Sequence, residues 1–184
     1  MSMITKKELG ELINIAKKMG ASDAKAIKPS EIVVRNWVRL KCQYGCDGYG
    51  KILTCPPFSP TPERTMQVLK EYEWALLMKF EGAGGRAGDA VVYEKSLPNL
   101  VVKIERAIFL KGFYAAFGLA AGPCSFCSGE DCNLEQCRHP FEARPSMESC
   151  GIDVFATVRN AGFKIDVVRN EREKPTFYAL LLVA

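Results

Sequence analysis

Histidine is nearly absent from this sequence, which has a single one, His139, among its 184 residues. Catalysis of the Ser–His or Cys–His kind needs a base beside the nucleophile, so little in the chain supports an enzyme of that type. Long apolar segments are missing too, because the charged amino terminus lacks the apolar core of a signal peptide and no later run reaches the length of a membrane span. We therefore expect a cytoplasmic protein without a membrane partner.

Strong charge of one sign is also missing, and the chain has no internal repeat or low-complexity tract. The formal net charge is +4, and the basic residues are spread without a cluster. Because nucleic-acid binding normally requires a basic patch, we expect no nucleic-acid partner. The glycine-rich segment 82–89 fits neither a dinucleotide fingerprint nor a P-loop, so it predicts a surface loop.

The apolar periodicity predicts an α/β (α+β) fold. A chain of this length can bury one ordinary core, which predicts a single metal-binding domain over residues 1–184 that does not need a metal merely to fold. Start and stop signals predict helices near residues 5–20, 29–42, 61–72, 96–112 and 146–162. Apolar runs predict strands near residues 24–27, 74–80, 113–120, 163–168 and 177–183. We expect a mixed sheet of about four strands with helices packed on it, its last pair antiparallel.

Eight cysteines are the most informative residues of the chain. Four of them have the spacing C-x2-C-x4-C-x4-C and are called here the loop cysteines: Cys124, Cys127, Cys132 and Cys137. Four thiolates in one short loop can close a tetrahedral shell around a metal with little loss of chain entropy. Because the cytosol keeps thiols reduced, the pattern predicts metal ligands rather than a disulfide framework.

A second cysteine group has the pattern C-x3-C-x8-C-P-P and is called here the amino-terminal cysteines: Cys42, Cys46 and Cys55. A proline directly after a ligand cysteine recurs in ferredoxin-type motifs. A [4Fe–4S] cluster takes four ligands, so Cys150 is the candidate for the fourth position, in the first turns of a predicted helix whose N–H groups stabilise a thiolate. If Cys150 stays apart, one iron is open to substrate. The alternative that these cysteines are small core residues stays open.

Two metals compete for these sites. Iron is favoured, as one or two [4Fe–4S] clusters, because there are two separate cysteine groups. Zinc is the alternative, since the loop spacing is that of a zinc knuckle with cysteine in place of its histidine. A nucleic-acid-binding knuckle is disfavoured because Glu130, Asp131 and Glu135 would repel phosphates. Arg138 and Arg144 are expected to offset the negative charge of a thiolate-bound cluster.

The combined motifs C-x3-C-x8-C-P-P-F-S-P-T-P-E, C-x2-C-x4-C-x4-C and R-P-S-M-E-S-C-G-I-D-V resemble a family of cysteine-rich, predicted metal-binding proteins that is frequent in anaerobic archaea and bacteria. The resemblance covers about residues 23–163. It implies a metal or iron–sulfur centre on the cysteines named above, and it supplies no reaction.

Three functions are compatible with this sequence. An electron-transfer or redox accessory protein, working with a redox partner protein, is favoured by the two cysteine groups. An enzyme with an open-site iron–sulfur cluster is the second, although no residue is assigned as catalytic. A structural zinc-binding interaction module is the third. Metal analysis separates the third function from the other two.

Overall fold

The protein, as a computed structural model, is described over residues 4–81, 87–127, 132–170 and 173–184, and for residues 87–94 the backbone alone is considered. Four strands form its sheet: β1 (Asp23–Ile27), β2 (Ala75–Glu81), β3 (Phe117–Leu119) and β4 (Thr176–Leu182). Their order across the sheet is β1-β2-β4-β3, and every pairing is antiparallel. The predicted α+β class and four strands are confirmed, whereas the sheet is antiparallel and not mixed.

In the described part of the chain, five α-helices accompany the sheet: α1 (Lys6–Lys18), α2 (Asn36–Gly45), α3 (Pro62–Leu69), α4 (Ala87–Phe109) and α5 (Val154–Asn160). Helix α1 begins with a capping box, in which the Thr5 hydroxyl accepts from the backbone N–H of Glu8 and the Glu8 carboxylate accepts from that of Thr5. This pairing satisfies N–H groups that a helix start otherwise leaves open, so α1 begins where the sequence predicts.

The sheet is buried on both faces, because alternate residues of each strand enter two different cores. In β2, Leu76 and Met78 belong to a core that α1 and α4 cover. Ala75 and Leu77 point the other way, into a second core that is covered by α3, α5 and the segment around Met147. This arrangement explains why β2 reads as one continuous apolar run. Of the eight cysteines, Cys150 belongs to this second core.

Two predicted helices are each divided into a short 3₁₀ turn and a later α-helix. The segment predicted at 29–42 forms the turn Pro29–Glu31 and then α2. The segment predicted at 146–162 forms the turn Glu148–Cys150 and then α5. Both predictions are therefore wrong about continuity, and right about the helical content on each side of the break.

One pairing explains both breaks. Val34 forms an isolated antiparallel bridge with Ile152, and the Arg35 N–H donates to the Gly151 carbonyl over 2.8 Å. An extended backbone at these positions cannot also be helical. Gly151 has a φ of +79°, and a Cβ there would lie 2.8 Å from Pro62 Cγ, so glycine suits both the turn and the close approach of α3. The two bridged residues are far apart in the sequence, so helical periodicity gives no sign of their pairing.

The remaining differences concern single elements. Helix α4 begins at Ala87, well before the predicted start at Ser96, so Pro98 lies inside the helix. The segment 163–168 is not a strand, because β4 already pairs with β2 and β3 along its two edges. Residues 82–86 of the glycine-rich loop lie outside the described residues. None of the described helices is both long and apolar enough to cross a membrane.

Candidate metal centre

Helix α2 and the loop that follows it bring the amino-terminal cysteines together. Cys42 lies in the last turns of α2 and Cys46 caps its end, one helical turn later, so both point to the same side. The Gly50 N–H then donates to the Pro56 carbonyl over 2.8 Å and folds the chain back toward α2. Cys55 precedes this proline and is buried, with 6% of its surface exposed.

The three thiols line a cavity of about 250 Å³. Its other walls include Gly122 and Pro123, which lead into the cysteine-rich loop, and residues of the 3₁₀ turn at Glu148–Cys150. Three separate stretches of the chain therefore surround one small space. Because a water molecule occupies about 30 Å³ of liquid, this space is large enough for a group of several atoms.

Arg39 holds two of these stretches in place. Its Nη1 donates to Ser59 Oγ, to the Pro60 carbonyl at 2.9 Å and to the Ser149 carbonyl at 2.6 Å. Ser59 Oγ also donates to the Ser149 carbonyl, over 2.7 Å. Arg39 precedes Cys42 by one helical turn, and its positive charge opposes the burial that raises the pKa of that thiol. Sequence reasoning missed Arg39, whose partners are distant along the chain.

The cysteine-rich loop leaves the sheet after β3, and its two ends are held against each other. The Ala120 N–H donates to the Pro145 carbonyl over 2.8 Å, and the Met147 N–H donates to the Ala120 carbonyl over 3.1 Å. Both ends are thereby fixed beside the second core, so the loop cysteines are carried on a rigid base.

A partly buried ion pair fixes the same base to α4. Arg144 donates to the two carboxylate oxygens of Glu105 at 2.7 and 2.6 Å, and the Gly118 N–H donates to Glu105 over 2.7 Å. Glu105 thus binds the strand before the loop and the segment after it. The expectation that Arg144 neutralises a cluster is replaced by this structural role. The charge of Arg138 acts to lower the pKa of Cys127, and its role beside a cluster stays a prediction.

All four loop cysteines are described. Residues 128–131, which separate Cys127 from Cys132, lie outside the described part of the chain. Burial first, and then the charge of Cys132, raise the pKa of Cys127, whose thiol is in hydrogen-bond contact with Cys132. The His139 N–H donates to Cys137 Sγ over 3.4 Å. All eight cysteines are free thiols. Within the described ranges, no three His, Cys, Asp or Glu side chains form a group that could hold a single ion.

Cys124 links the two cysteine groups. Its own pKa is raised by burial and then by the charges of other loop cysteines. The pKa of Cys55 is raised to about 12 by burial first, and then by the charges of Cys46, Cys42 and Cys124. Gly122 and Pro123, the two residues before Cys124, line the thiol cavity, so the chain brings Cys124 next to the wall of that cavity as well as to the start of its own loop. The geometry therefore makes Cys124 a candidate ligand for either group.

Cys150 lies elsewhere. It ends a 3₁₀ turn, is 2% exposed in the second core, and lines a different cavity of about 280 Å³ beside Leu69 and Leu119. Burial raises the pKa of its thiol to about 12. The expectation of a thiolate stabilised in the first turns of an α-helix is therefore wrong, because Gly151 ends the turn before α5 begins.

The chain matches the model of a family described as predicted metal-binding protein (DUF2284) over residues 25–183. It belongs to this family. The match includes all eight cysteines and confirms the resemblance that the motifs suggest. Metal binding by the chain follows from it at the level of the family description, without the identity of the metal. Neither a curated protein nor a solved structure matches the chain.

The residues around the thiol cavity suit the metal centre that membership of the DUF2284 family indicates. A Cβ on Gly48 would lie 3.3 Å from Cys55 Sγ and 3.7 Å from Cys46 Sγ, so the bare backbone of Gly48 lies against both sulfurs. Thr54 Oγ1 is buried next to Cys55 in the sequence, has no nitrogen or oxygen partner among the described residues, and acts to lower the pKa of the Cys55 thiol. A hydroxyl there can donate to a ligand sulfur, as groups beside iron–sulfur clusters do.

Gly48→Ala is expected to weaken metal binding at the amino-terminal cysteines about tenfold, a typical effect of disturbing the surroundings of ligands. The added methyl would crowd Cys55 Sγ and Ile52 Cδ1, both at 3.3 Å. Gly45→Ala is the matched control, because a Cβ on Gly45 meets nothing within 4 Å. The metal retained after a chelator challenge measures the difference. Equal losses from the two variants would contradict the close backbone approach.

The metal-free protein is expected to lose stability as the pH rises above about 9. Cys55 and Cys150 have pKa values of about 12 in the folded protein, against an ordinary value of 9.0. Between these values the unfolded chain releases protons that the folded chain keeps, so the free energy of unfolding falls, by up to about 1.4 kcal/mol per pH unit for each fully buried thiol. Below pH 9 the two thiols are protonated in both the folded and the unfolded protein, so their contribution to the free energy of unfolding does not change with pH.

Urea unfolding of the metal-free, reduced protein between pH 8 and pH 10.5 tests this expectation. Cys150→Ala serves as the comparison, because it removes one of the two thiols and should make the decline with pH shallower whatever its effect at pH 8. A stability that increases above pH 9 would show that the thiols are ionised in the folded protein.

Proposed function

We propose that this protein binds a [4Fe–4S] cluster at the amino-terminal cysteines and works as an electron-transfer or redox accessory protein. The observation that carries the proposal is the convergence of three thiols, from α2 and from the loop after it, on one cavity of about 250 Å³. A space of this size favours a cluster of several atoms over a single zinc ion, whose four ligands lie about 2.3 Å from it.

Cys124 is the favoured fourth ligand of this cluster, and Cys150 is a core residue. The chain leading to Cys124, Gly122 and Pro123, lines the cavity, and the charge of Cys124 adds to the effects that raise the pKa of Cys55. Cys150 lines a different cavity in the second core. Cys127, Cys132 and Cys137 are then available for a second centre.

The chain's own residues prepare this site for a cluster, which supplies one-electron redox chemistry when it is bound. Burial of Cys55 keeps water away from one side of the centre. Lys41 lines the cavity, and Arg39 acts to lower the pKa of Cys42, so two cations stand near the ligand thiolates. Positive charge beside thiolate ligands stabilises the added negative charge of a reduced cluster.

Anaerobic purification followed by visible spectroscopy and analysis of iron, sulfide and zinc tests the proposal. We expect iron and acid-labile sulfide in equal amounts, with broad visible absorption that bleaches on reduction with dithionite. A colourless protein that holds stoichiometric zinc after expression in iron-replete, anaerobic cells would overturn it in favour of a structural zinc site.

The exposed face of α2 suits an acidic electron-carrier protein as the redox partner. Leu40 and Tyr44 are 56% and 79% exposed, one helical turn apart, next to the helix end that carries Cys42 and Cys46. No acidic residue occurs from residue 32 to residue 46, while three basic ones do. An apolar patch with positive charge around it attracts a partner of opposite charge.

Tyr44→Glu is expected to slow reduction of the cluster by a small acidic electron carrier about tenfold at low salt, because it places a like charge at the contact. Stopped-flow reduction at increasing salt measures the effect, which should shrink as the charges are screened. Leu110→Glu is the control, since Leu110 is 72% exposed and follows α4, which packs on the other face of the sheet. Equal rates for the two variants would remove α2 as the docking face.

An open-site iron–sulfur enzyme is the second candidate, and one observation favours it. If Cys124 ligates within its own loop, the amino-terminal cysteines supply three thiolates and leave one iron open. A larger groove lies directly beside the thiol cavity, with four residues common to both. If Cys124→Ser keeps a full four-iron cluster at the amino-terminal site, the result would favour a cluster with an open iron over one in which Cys124 is the fourth ligand.

A further inference from the structure

The cavity of about 280 Å³ beside Cys150 is called here the apolar cavity. Its walls come from α3, from the edge strand β3, from the end of β4 and from the 3₁₀ turn that ends at Cys150. Four of its lining residues belong to the second core and are buried: Leu69, Leu119, Cys150 and Leu182. Val68 and Tyr72 are only half-buried, so the cavity opens to solvent on their side.

The polar groups in this lining are already engaged. The Thr65 hydroxyl donates to the Cys150 carbonyl over 2.7 Å, and the Tyr72 hydroxyl donates to the Ala115 carbonyl over 2.8 Å. Burial raises the pKa of the Cys150 thiol to about 12, so it is uncharged at neutral pH and behaves as a small apolar group. A water molecule inside a protein needs two to four polar partners, and this lining offers it few.

Charge is missing from the lining as well. None of the described residues that form the apolar cavity is an acid or a base. The Arg144 guanidinium lies over the Phe117 ring, 5.2 Å from its centroid, but Arg144 is already paired with both carboxylate oxygens of Glu105. The cavity therefore offers a charged ligand nothing in exchange for the water that it would lose.

We propose that the apolar cavity binds a small, neutral, hydrocarbon-like molecule of about the size of one substituted benzene ring. Apolar walls without contact partners lose dispersion energy, which a ligand of this kind restores. A cavity of about 150 Å³ with similar walls can hold benzene, so the space is sufficient. The proposal goes beyond the iron–sulfur assignment, because Glu148 and Ser149 line the thiol cavity whereas Cys150 lines this one.

Three probes of matched size separate the effect of charge. Toluene is neutral, whereas benzoate is an anion and benzylammonium is a cation at pH 7.5. Isothermal titration of the unmodified, metal-containing protein should show saturable binding of toluene, with both ions bound at least about tenfold more weakly. Toluene should bind about fourfold more tightly than benzene, the gain for one buried carbon. No saturable binding of toluene up to its solubility, or equal binding of the three probes, would overturn the proposal.

Two variants with the same chemical change locate the site. Val68→Phe places a ring inside the apolar cavity and should weaken toluene binding at least about tenfold. Val167→Phe is the matched control and should leave toluene binding unchanged, since Val167 is 66% exposed and lines the larger groove beside the thiol cavity. Toluene binding that is kept in Val68→Phe, or lost in Val167→Phe, would overturn the assignment to the apolar cavity.

The ranking of the three probes is measured on the unmodified protein, so it does not depend on how well Val68→Phe folds. Iron, sulfide and zinc analysis of the same samples shows separately whether the iron–sulfur assignment holds.

Discussion

Cys55→Ser is expected to remove about four iron atoms per chain, together with the visible absorption of one cluster. Cys55 is the most buried of the amino-terminal cysteines, and its thiol senses the charges of Cys46, Cys42 and Cys124. A serine oxygen is a poor ligand for the soft iron of a cluster, so the variant lacks one of the thiolates that the cluster needs. Iron and sulfide analysis after anaerobic reconstitution measures the result.

Cys150→Ser is the matched control, because it makes the same chemical change in a different environment. It should keep the iron of the amino-terminal site and lower the free energy of unfolding by about 1–3 kcal/mol, since it places a hydroxyl in an apolar core. Cys124→Ser should behave as Cys55→Ser does if Cys124 is the fourth ligand. The reverse result, with iron lost from Cys150→Ser and kept in Cys55→Ser, would refute the assignment of ligands.

Glu105→Gln is expected to lower the free energy of unfolding by about 3 kcal/mol, or the melting temperature by roughly 6–12 °C for a chain of this size. The glutamine loses the charge that pairs with Arg144, and the guanidinium is left in a site where only 13% of its side chain is exposed. The Gly118 N–H also loses a charged acceptor. Chemical denaturation of the metal-free protein measures this effect without a contribution from bound metal.

Glu81→Gln gives the comparison, since the Lys79–Glu81 pair is short, at 2.6 Å, but the Glu81 side chain is 61% exposed. An exposed pair contributes at most about 1 kcal/mol, so Glu81→Gln should unfold almost as the unmodified protein does. Replacing both partners, as Glu105→Leu with Arg144→Met, should recover part of the loss. Similar stability of Glu105→Gln and Glu81→Gln would show that Glu105 does not anchor the base of the cysteine-rich loop.

Local signals in the sequence were sufficient for several elements. The Thr5–Glu8 capping box predicts the start of α1, and the apolar run of β2 predicts a strand buried on both faces. Both depend on residues close together along the chain. The antiparallel order of the sheet could not be predicted, because it depends on which distant strands pair.

The candidate site was predictable as a set of residues and not as an arrangement. The spacing of the cysteines identifies them, but the position of Gly122 and Pro123, just before Cys124, at the thiol cavity depends on where β3 ends relative to α2. Helical periodicity predicts an α-helix at Cys150, whereas the structure has a 3₁₀ turn there. The bridge between Val34 and Ile152, which interrupts the helix, has no pattern in the sequence that would reveal it. The Glu105–Arg144 pair joins residues 39 positions apart, beyond any helical or strand period.

The two-sided burial of the sheet has a practical consequence for handling the protein. Most of the residues that fill the two cores are aliphatic or aromatic, and the amino-terminal cysteines belong to neither core. Loss of the metal should therefore leave the far-ultraviolet circular dichroism nearly unchanged. A well-folded preparation is consequently no evidence that the metal is bound. Elemental analysis therefore has to accompany every assay of this protein.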